Sequence, residues 1–548
     1  MWLHRVPLEL LQTPRAAGLV LLALATACVD GPPDAQTFGT SMPAATAGDA
    51  GAAAAGDAAS AAGEGTTVTV AEGKVHGKVT GKTRSFLGIP YAKPPIGDLR
   101  FAPPVPADAW TKTLEASDFG PSCPQPKGGL AAMNAQSEDC LSLNVIAPTG
   151  AKKLPVIVWI HGGAFIAGGS SQYDATRLAG EGPVVVVTIN YRLGALGLLS
   201  LPELDAARDT PSGNDALRDQ QLALNWVKKN VAAFGGDPAN ITLAGESAGS
   251  QSVCMHMVAP GSQSLVNRFV LESGPCVGGL PVRHKDTANA TGKKLLDELC
   301  PDATDAVACL RGLDADAVIN WGNADGIFGA GWSPLVDAAD EVLPQEPVAA
   351  IMGGSYNKGE LLLGTNKHEW ALFLALDTQN PAPSSVQTLN AAIEKQFGAA
   401  AGAAIEKHYA ATDANAKDTF VQLMTDAVFR CPTRALARLA AAGGSKVYLY
   451  SFEEGPSMHA FEIPYVLGVP NAALGAATLV EPLRDAMQSY WRQFAKTGDP
   501  NVSGQPEWPA YDMDSDQNIT LQADTAVDTN LSQADCDFWT ALLAMKAP

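Results

Sequence analysis

The sequence predicts an α/β fold in which a mostly parallel central sheet carries helices on both faces. Three observations predict it. Apolar runs at Val156 to Ile160, Val184 to Ile189, Ile241 to Ala244, Leu361 to Leu363 and Val447 to Tyr450 are near-continuous rather than alternating, as strands buried on both faces require. Helical patterns such as Asp215 to Val231 lie between several of them, the alternation that parallel strands need for their crossovers. Hydrophobic residues make up 46% of the 548 and charged ones 17%, a balance that can bury a large core.

Taken in order, the chain opens with Arg5 and Arg15 ahead of an apolar run from Ala16 to Ala27. That run is too short to span a bilayer and suits the apolar region of a signal peptide over residues 1–28, so an exported protein is expected. It ends Leu24-Ala25-Thr26-Ala27-Cys28, which resembles a bacterial lipobox, with Ala25 where Leu is commonest. Cys28 is then the acylated first residue of the mature chain; simple cleavage at a small-residue site, with Cys28 incidental, is the alternative. Residues 29–65 are mostly Ala, Gly, Asp, Thr and Ser, with too little apolar surface to offset the entropy of ordering, and read as a disordered tether. Residues 66–548 form one folded domain.

The formal charge is −20 and no basic block is present, which argues against nucleic acid as a partner. No apolar stretch of 18 residues follows Cys28, so membrane contact is expected only through the lipid anchor. Of nine cysteines, setting Cys28 aside leaves eight, and an exported chain invites their pairing. No CxxC and no His/Cys cluster at ligand spacing supports a metal site.

Chemistry is written most clearly at Gly245-Glu246-Ser247-Ala248-Gly249. This pentapeptide follows the strand Ile241 to Ala244 and precedes a helical stretch through Val253 and Met257. A sharp strand-to-helix turn exposes Ser247, and the flanking glycines leave room for crowded backbone. Upstream, the strand Val156 to Ile160 runs into His161-Gly162-Gly163-Ala164-Phe165, small residues that let amide N–H groups approach a substrate oxygen. Gly163, Ala164 and Ala248 are the expected oxyanion donors.

Several long segments then resemble the type-B carboxylesterases, the family that includes cholinesterases, over roughly residues 66 to 545. They are Phe86-Leu87-Gly88-Ile89-Pro90-Tyr91-Ala92 with Leu99-Arg100-Phe101, Glu138-Asp139-Cys140-Leu141-Ser142-Leu143-Asn144-Val145, Gly213-Asn214-Asp215 onward through the Ser247 turn, and Phe494-Ala495-Lys496-Thr497-Gly498-Asp499-Pro500. The chain is thus similar to a bacterial exported member of that family. The resemblance implies an α/β-hydrolase fold with nucleophile, acid and base in that chain order, the acid usually being Glu.

Two later motifs fit that order. Leu363-Gly364-Thr365-Asn366-Lys367-His368-Glu369 resembles the acid loop and Met458-His459-Ala460-Phe461-Glu462 the histidine loop, which gives Ser247, Glu369 and His459 as the catalytic set. A serine hydroxyl needs an imidazole to take its proton, and the imidazole needs a carboxylate to fix its tautomer. His368 is the serious rival to His459, but His459 lies downstream of the acid as the order demands. Glu246, Ser273 and Glu462 resemble a buried hydrogen-bonded network that supports the triad in this family.

The resemblance also pairs Cys123 with Cys140, Cys300 with Cys309, and Cys431 with Cys536; Cys254 and Cys276 form a fourth bridge or remain two buried thiols. Cholinesterases carry a tryptophan between the first two cysteines that stacks on a quaternary ammonium. This loop has no aromatic residue, so uncharged small to medium esters are expected instead. Phe328 and Trp332 resemble the acyl-pocket region and are expected to limit acyl length. Acyl transfer on serine requires no cofactor, so none is expected. The alternatives are a hydrolase restricted to one bulky ester, carbamate or amide, and a catalytically silent binding protein on the same fold.

Overall fold

The structure, a computed structural model, describes residues 65–128, 134–278, 282–322, 331–471 and 476–545. The readings for the signal peptide, Cys28, all of the tether but Gly65, and Phe328 lie outside the described residues.

Eleven strands among the described residues form the central sheet. In chain order they are β1 (Lys78–Thr80), β2 (Thr83–Pro90), β3 (Ser142–Pro148), β4 (Leu154–Ile160), β5 (Val185–Ile189), β6 (Gly236–Glu246), β7 (Arg268–Glu272), β8 (Glu360–Asn366), β9 (Val447–Phe452), β10 (Asn518–Leu521) and β11 (Ala526–Asp528). Across the sheet the order is β11-β10-β9-β8-β7-β6-β4-β5-β3-β2-β1. The neighbours from β10 to β5 pair in parallel, while β3, β2, β1 and β11 add antiparallel margins. Every expected apolar run lies within one of these strands or begins one residue ahead of it.

Alternate side chains enter opposite layers, as the two-residue repeat of a strand dictates. Val156, Val158 and Ile160 join the core that includes Leu361, Leu363 and Leu449, whereas Ile157 and Trp159 join the one that includes Leu362, Tyr448 and Tyr450. The first layer is covered by helices α1 (Asp215–Asn230) and α2 (Ala248–Val258), through Leu217, Leu224, Val253 and Met257. The second is covered by α4 (Glu481–Thr497), through Leu483, Met487, Trp491 and Phe494. Burying each such side chain stabilises the fold by about 1.5–3 kcal/mol. Between them in sequence, α3 (Trp370–Leu376) follows β8, and α5 (Gln533–Met545) closes the chain.

Helix α1 stops one residue short of the expected Val231, where the backbone tightens into a 3₁₀ turn over Val231–Phe234 that Gly235 terminates with φ 92°, a conformation glycine adopts without a Cβ clash. Strand β6 begins five residues before Ile241: Gly236 pairs with Leu154, and the register then shifts irregularly before Ile241 pairs with Val156, in a stretch that shows no apolar run.

Candidate active site

The expected catalytic, oxyanion and supporting residues gather where the parallel strands end. β4 delivers His161 to Gly163, β6 Ser247, β7 Ser273, β8 the loop to Glu369, and β9 the loop to His459. Carboxyl ends of such strands are where α/β sheets hold ligands.

Ser247 sits at φ 57° and ψ −124° between β6 and α2, a strained setting for a residue with a Cβ. Its N–H donates to Glu272 O at 2.9 Å, which ties the turn to β7. The need for both glycines is steric: a Cβ on Gly249 would lie 2.1 Å from Ile160 O, and one on Gly245 would lie 2.6 Å from Gly249 C. Larger residues at either position would push α2 off the end of β4.

The loop after β4 lies directly against that turn, since a Cβ on Gly162 would stand 3.0 Å from Ser247 Cβ. Its next three residues, Gly163, Ala164 and Phe165, have φ of 107°, 55° and 60°. Gly163 O accepts from Ile166 and Ala167 N–H, both at 3.0 Å. Ala248 opens α2, so its N–H has no intrahelical acceptor. Among the described residues, no protein acceptor meets the N–H of Gly163, Ala164 or Ala248.

His459 and Glu369 are both buried, and His459 Nδ1 lies 2.6 Å from Glu369 Oε2. The other carboxylate oxygen, Oε1, accepts from Asn366 N–H at 2.7 Å. His459 Nε2 stands 3.1 Å from Glu246 Oε1 without the alignment of a hydrogen bond. Two rings stacked on each other at 5.7 Å, Phe373 of α3 and Phe429, pack against the imidazole at 4.8 and 5.0 Å. Phe429 belongs to a π-helical turn over Asp426–Arg430.

The supporting residues meet behind this pair. Ser273 Oγ donates to Glu462 Oε1 at 3.2 Å, and Asn366 Nδ2 donates to Glu462 Oε2 and to Met458 O. The strand-end residue Glu272 is buried too and accepts from Trp491 Nε1 at 2.8 Å. Burial, then the neighbouring Glu462 and Glu369 charges, push the Glu246 carboxyl up to about 8 against the pull of His459. Burial and Glu369 raise Glu462 to about 7. Burial acts to lower His459, yet the carboxylates Glu246 and Glu369 outweigh it and raise the imidazole to about 9.

The rival His368 and two other histidines have different partners. His368 is exposed, its Nδ1 3.3 Å from Pro456 O. His161 stacks on Tyr191 at 4.3 Å, and burial lowers it to about 4. His256 is buried between Gln220 and Ser262. Trp332 is buried beside Trp321 with the Arg283 guanidinium 5.4 Å over its ring. A Cβ on Gly194 would stand 3.9 Å from Trp332 Cδ1, and Gly194 N–H donates to Phe165 O in the oxyanion loop at 2.7 Å.

Four disulfides are present: Cys123–Cys140, Cys254–Cys276, Cys300–Cys309 and Cys431–Cys536. The open question of Cys254 and Cys276 is thus answered by a bridge, and four bridges suit an oxidising, extracellular or secretory setting. Among the described residues, no group of three His, Cys, Asp or Glu side chains is arranged to hold a metal ion, and no helix is long and apolar enough to cross a membrane.

Asn366, Glu272, Phe373 and Phe429 were not singled out from sequence. Asn366 lies inside the motif quoted for Glu369, and Glu272 stands next to Ser273, so both could have been found there; Phe429 lies in a π-helical turn with no sequence signal of its own.

A model of the carboxylesterase family matches residues 64–539. The chain belongs to that family. It is 35% identical to the para-nitrobenzyl esterase of Bacillus subtilis (strain 168), over 84% of this chain and 96% of that protein. It is 32% identical to liver carboxylesterase 1 of Oryctolagus cuniculus, over 86% of this chain and 93% of that protein. It is also 32% identical to carboxylesterase 1C of Mus musculus, over 88% and 94%. As a family member the chain is a carboxylic ester hydrolase, and its mixed sheet is the α/β-hydrolase fold of carboxylesterases.

Proposed function

We propose that this carboxylesterase cleaves uncharged small to medium esters through an acyl-enzyme on Ser247, with His459 as base and Glu369 as its acid partner. Ser247 Oγ attacks the ester carbonyl carbon and its proton passes to His459 Nε2. The oxyanion so formed takes hydrogen bonds from Gly163, Ala164 and Ala248 N–H, each worth about 2.7–4 kcal/mol in such sites. The C–O bond to the alcohol breaks as His459 returns the proton to the leaving oxygen. Water then gives a proton to His459 and attacks the acyl carbon, and Ser247 leaves with that proton as the acid departs.

The observation that carries the reading is the 2.6 Å contact between His459 Nδ1 and Glu369 Oε2, at the sheet edge that also holds Ser247. A carboxylate there fixes the tautomer that leaves Nε2 free to accept. Glu246, Ser273 and Glu462 hold the pair in place, and Trp332 with Phe328 limits acyl length.

Release of p-nitrophenol from esters of increasing acyl length tests the reading, with Ser247→Ala and His459→Ala beside the wild type. Collapse of activity in both variants is expected. A folded Ser247→Ala enzyme with undiminished turnover would remove the serine from the mechanism. The same reading places the enzyme outside the cytoplasm on an acylated Cys28 at the end of the tether; Cys28→Ala is expected to leave the membrane fraction, and unchanged fractionation would refute the anchor.

A further inference from the structure

We infer that Gln125 is a positioning residue that sets the oxyanion donors by gripping the backbone of Gly168. The inference rests on the acyl-enzyme reading above, because it assigns a cause to the placement of Gly163 and Ala164.

Gln125 lies two residues past Cys123 and is 1% exposed. Its side-chain amide makes a double contact with one residue on another loop: Nε2 donates to Gly168 O at 2.7 Å, and Oε1 accepts from Gly168 N–H at 2.8 Å. The same Nε2 donates to Cys123 O at 3.0 Å. Donor and acceptor of a carboxamide are coplanar, so it pairs with the N–H and C=O of Gly168 much as a neighbouring strand would. Only a planar group offering both functions at that reach fits.

Gly168 is the closing end of the loop that holds the donors. Its φ is 108°, and a Cβ there would stand 2.6 Å from both Gly162 O and His161 Nδ1. A Cβ on Gly163 would stand 2.2 Å from Ala167 O. The Ala167–Gly168 segment is thus the surface on which Gly162 and Gly163 rest. Three successive residues of positive φ, Gly163 to Phe165, persist only where the surroundings over-determine them, and Gln125 supplies a restraint from outside the loop. The restraint is itself anchored, since Gln125 N–H donates to Gln136 Oε1 at 3.0 Å and the Cys123–Cys140 bridge closes the segment. Donors displaced by even part of an ångström stabilise the transition state less while leaving ground-state binding nearly intact.

The test uses the full-length enzyme with Gln125→Met, which removes both bonds to Gly168 at similar volume, and Gln125→Glu, which keeps only the acceptor. Steady-state kcat and KM on p-nitrophenyl acetate are measured beside the affinity for an aryl trifluoromethyl ketone, whose serine hemiketal presents an oxyanion. The expected result for Gln125→Met is a fall of about tenfold or more in kcat and in ketone affinity together, with KM within about twofold. Gln125→Glu, which sets a carboxylate oxygen against Gly168 O and Cys123 O, should fall at least as far as Gln125→Met, and it decides the matter alone if the Met variant does not fold. Unchanged kcat and ketone affinity in a folded variant would overturn the inference, as would a loss confined to KM. Ser247→Ala runs in parallel: inactive Ser247→Ala with unaffected Gln125 variants removes the inference alone, whereas active Ser247→Ala removes the reading on which it rests.

Discussion

Glu369 Oε2 and His459 Nδ1 stand 2.6 Å apart at the ends of two loops that leave neighbouring parallel strands. The contact is completed from the main chain, for the other Glu369 oxygen accepts the N–H of Asn366, the last residue of β8. The placing of Glu369 against His459 is therefore set by the register of β8 against β9.

Replacing Glu369 by Gln keeps the side chain's shape but removes the charge that holds the imidazole tautomer. Turnover should fall by about 10⁴ with little change in KM, the loss seen when a triad aspartate becomes asparagine. Circular dichroism and stopped-assay kinetics on the purified variant check it; a loss below about threefold would mean that Glu369 does not orient the base.

In the proposed mechanism the basic form of His459 is the active one, so kcat/KM should rise with pH as the imidazole loses its proton. Glu246 and Glu369 hold that proton on, moving the folded value up to about 9. Glu246→Gln removes one of those negative charges, so the acid limb of the profile should move to lower pH. An acid limb that stays in place would show that Glu246 does not act on His459.

A methyl group at Gly249 would enter within 2.1 Å of Ile160 O and 2.9 Å of His161 O. Both are backbone atoms that cannot rotate away. Gly249→Ala should lower stability by about 1–3 kcal/mol through overpacking and lower kcat as α2 shifts with Ser247. Urea unfolding and initial rates measure the two effects.

The bridges differ in the chain they enclose, 105 residues for Cys431–Cys536 against 9 for Cys300–Cys309. Loop-closure entropy then assigns about 5 kcal/mol to the first and about 2.5 to the second. Cys431→Ser with Cys536→Ser should therefore lower the unfolding midpoint more than the equivalent pair at Cys300 and Cys309. Differential scanning of both double variants decides it.

Much of this fold was legible because the core strands are apolar on both faces. Val156 to Ile160 needed no partner to be recognised, whereas Gly236 to Asn240 enters its strand with one pairing, Gly236 to Leu154, and carries no hydrophobic signal. At the site, the motif residues were readable because steric crowding restricts what can stand at positions such as Gly245 and Gly249. Phe429 was not, since its approach to His459 depends on a π-helical turn. Nor was Gln125, whose partner Gly168 lies 43 residues away and offers only backbone.

The bridge between Cys254 and Cys276 leaves α2, which begins one residue after Ser247, and ends just past β7, whose Glu272 carbonyl receives the Ser247 N–H. The two walls of the nucleophile's turn are thus stitched together by a bond that a reducing cytosol would not maintain. On the proposed export, delivery across the membrane becomes a step in assembling the proposed reaction centre, and chains held back in the producing cell would carry the same residues on a slacker frame.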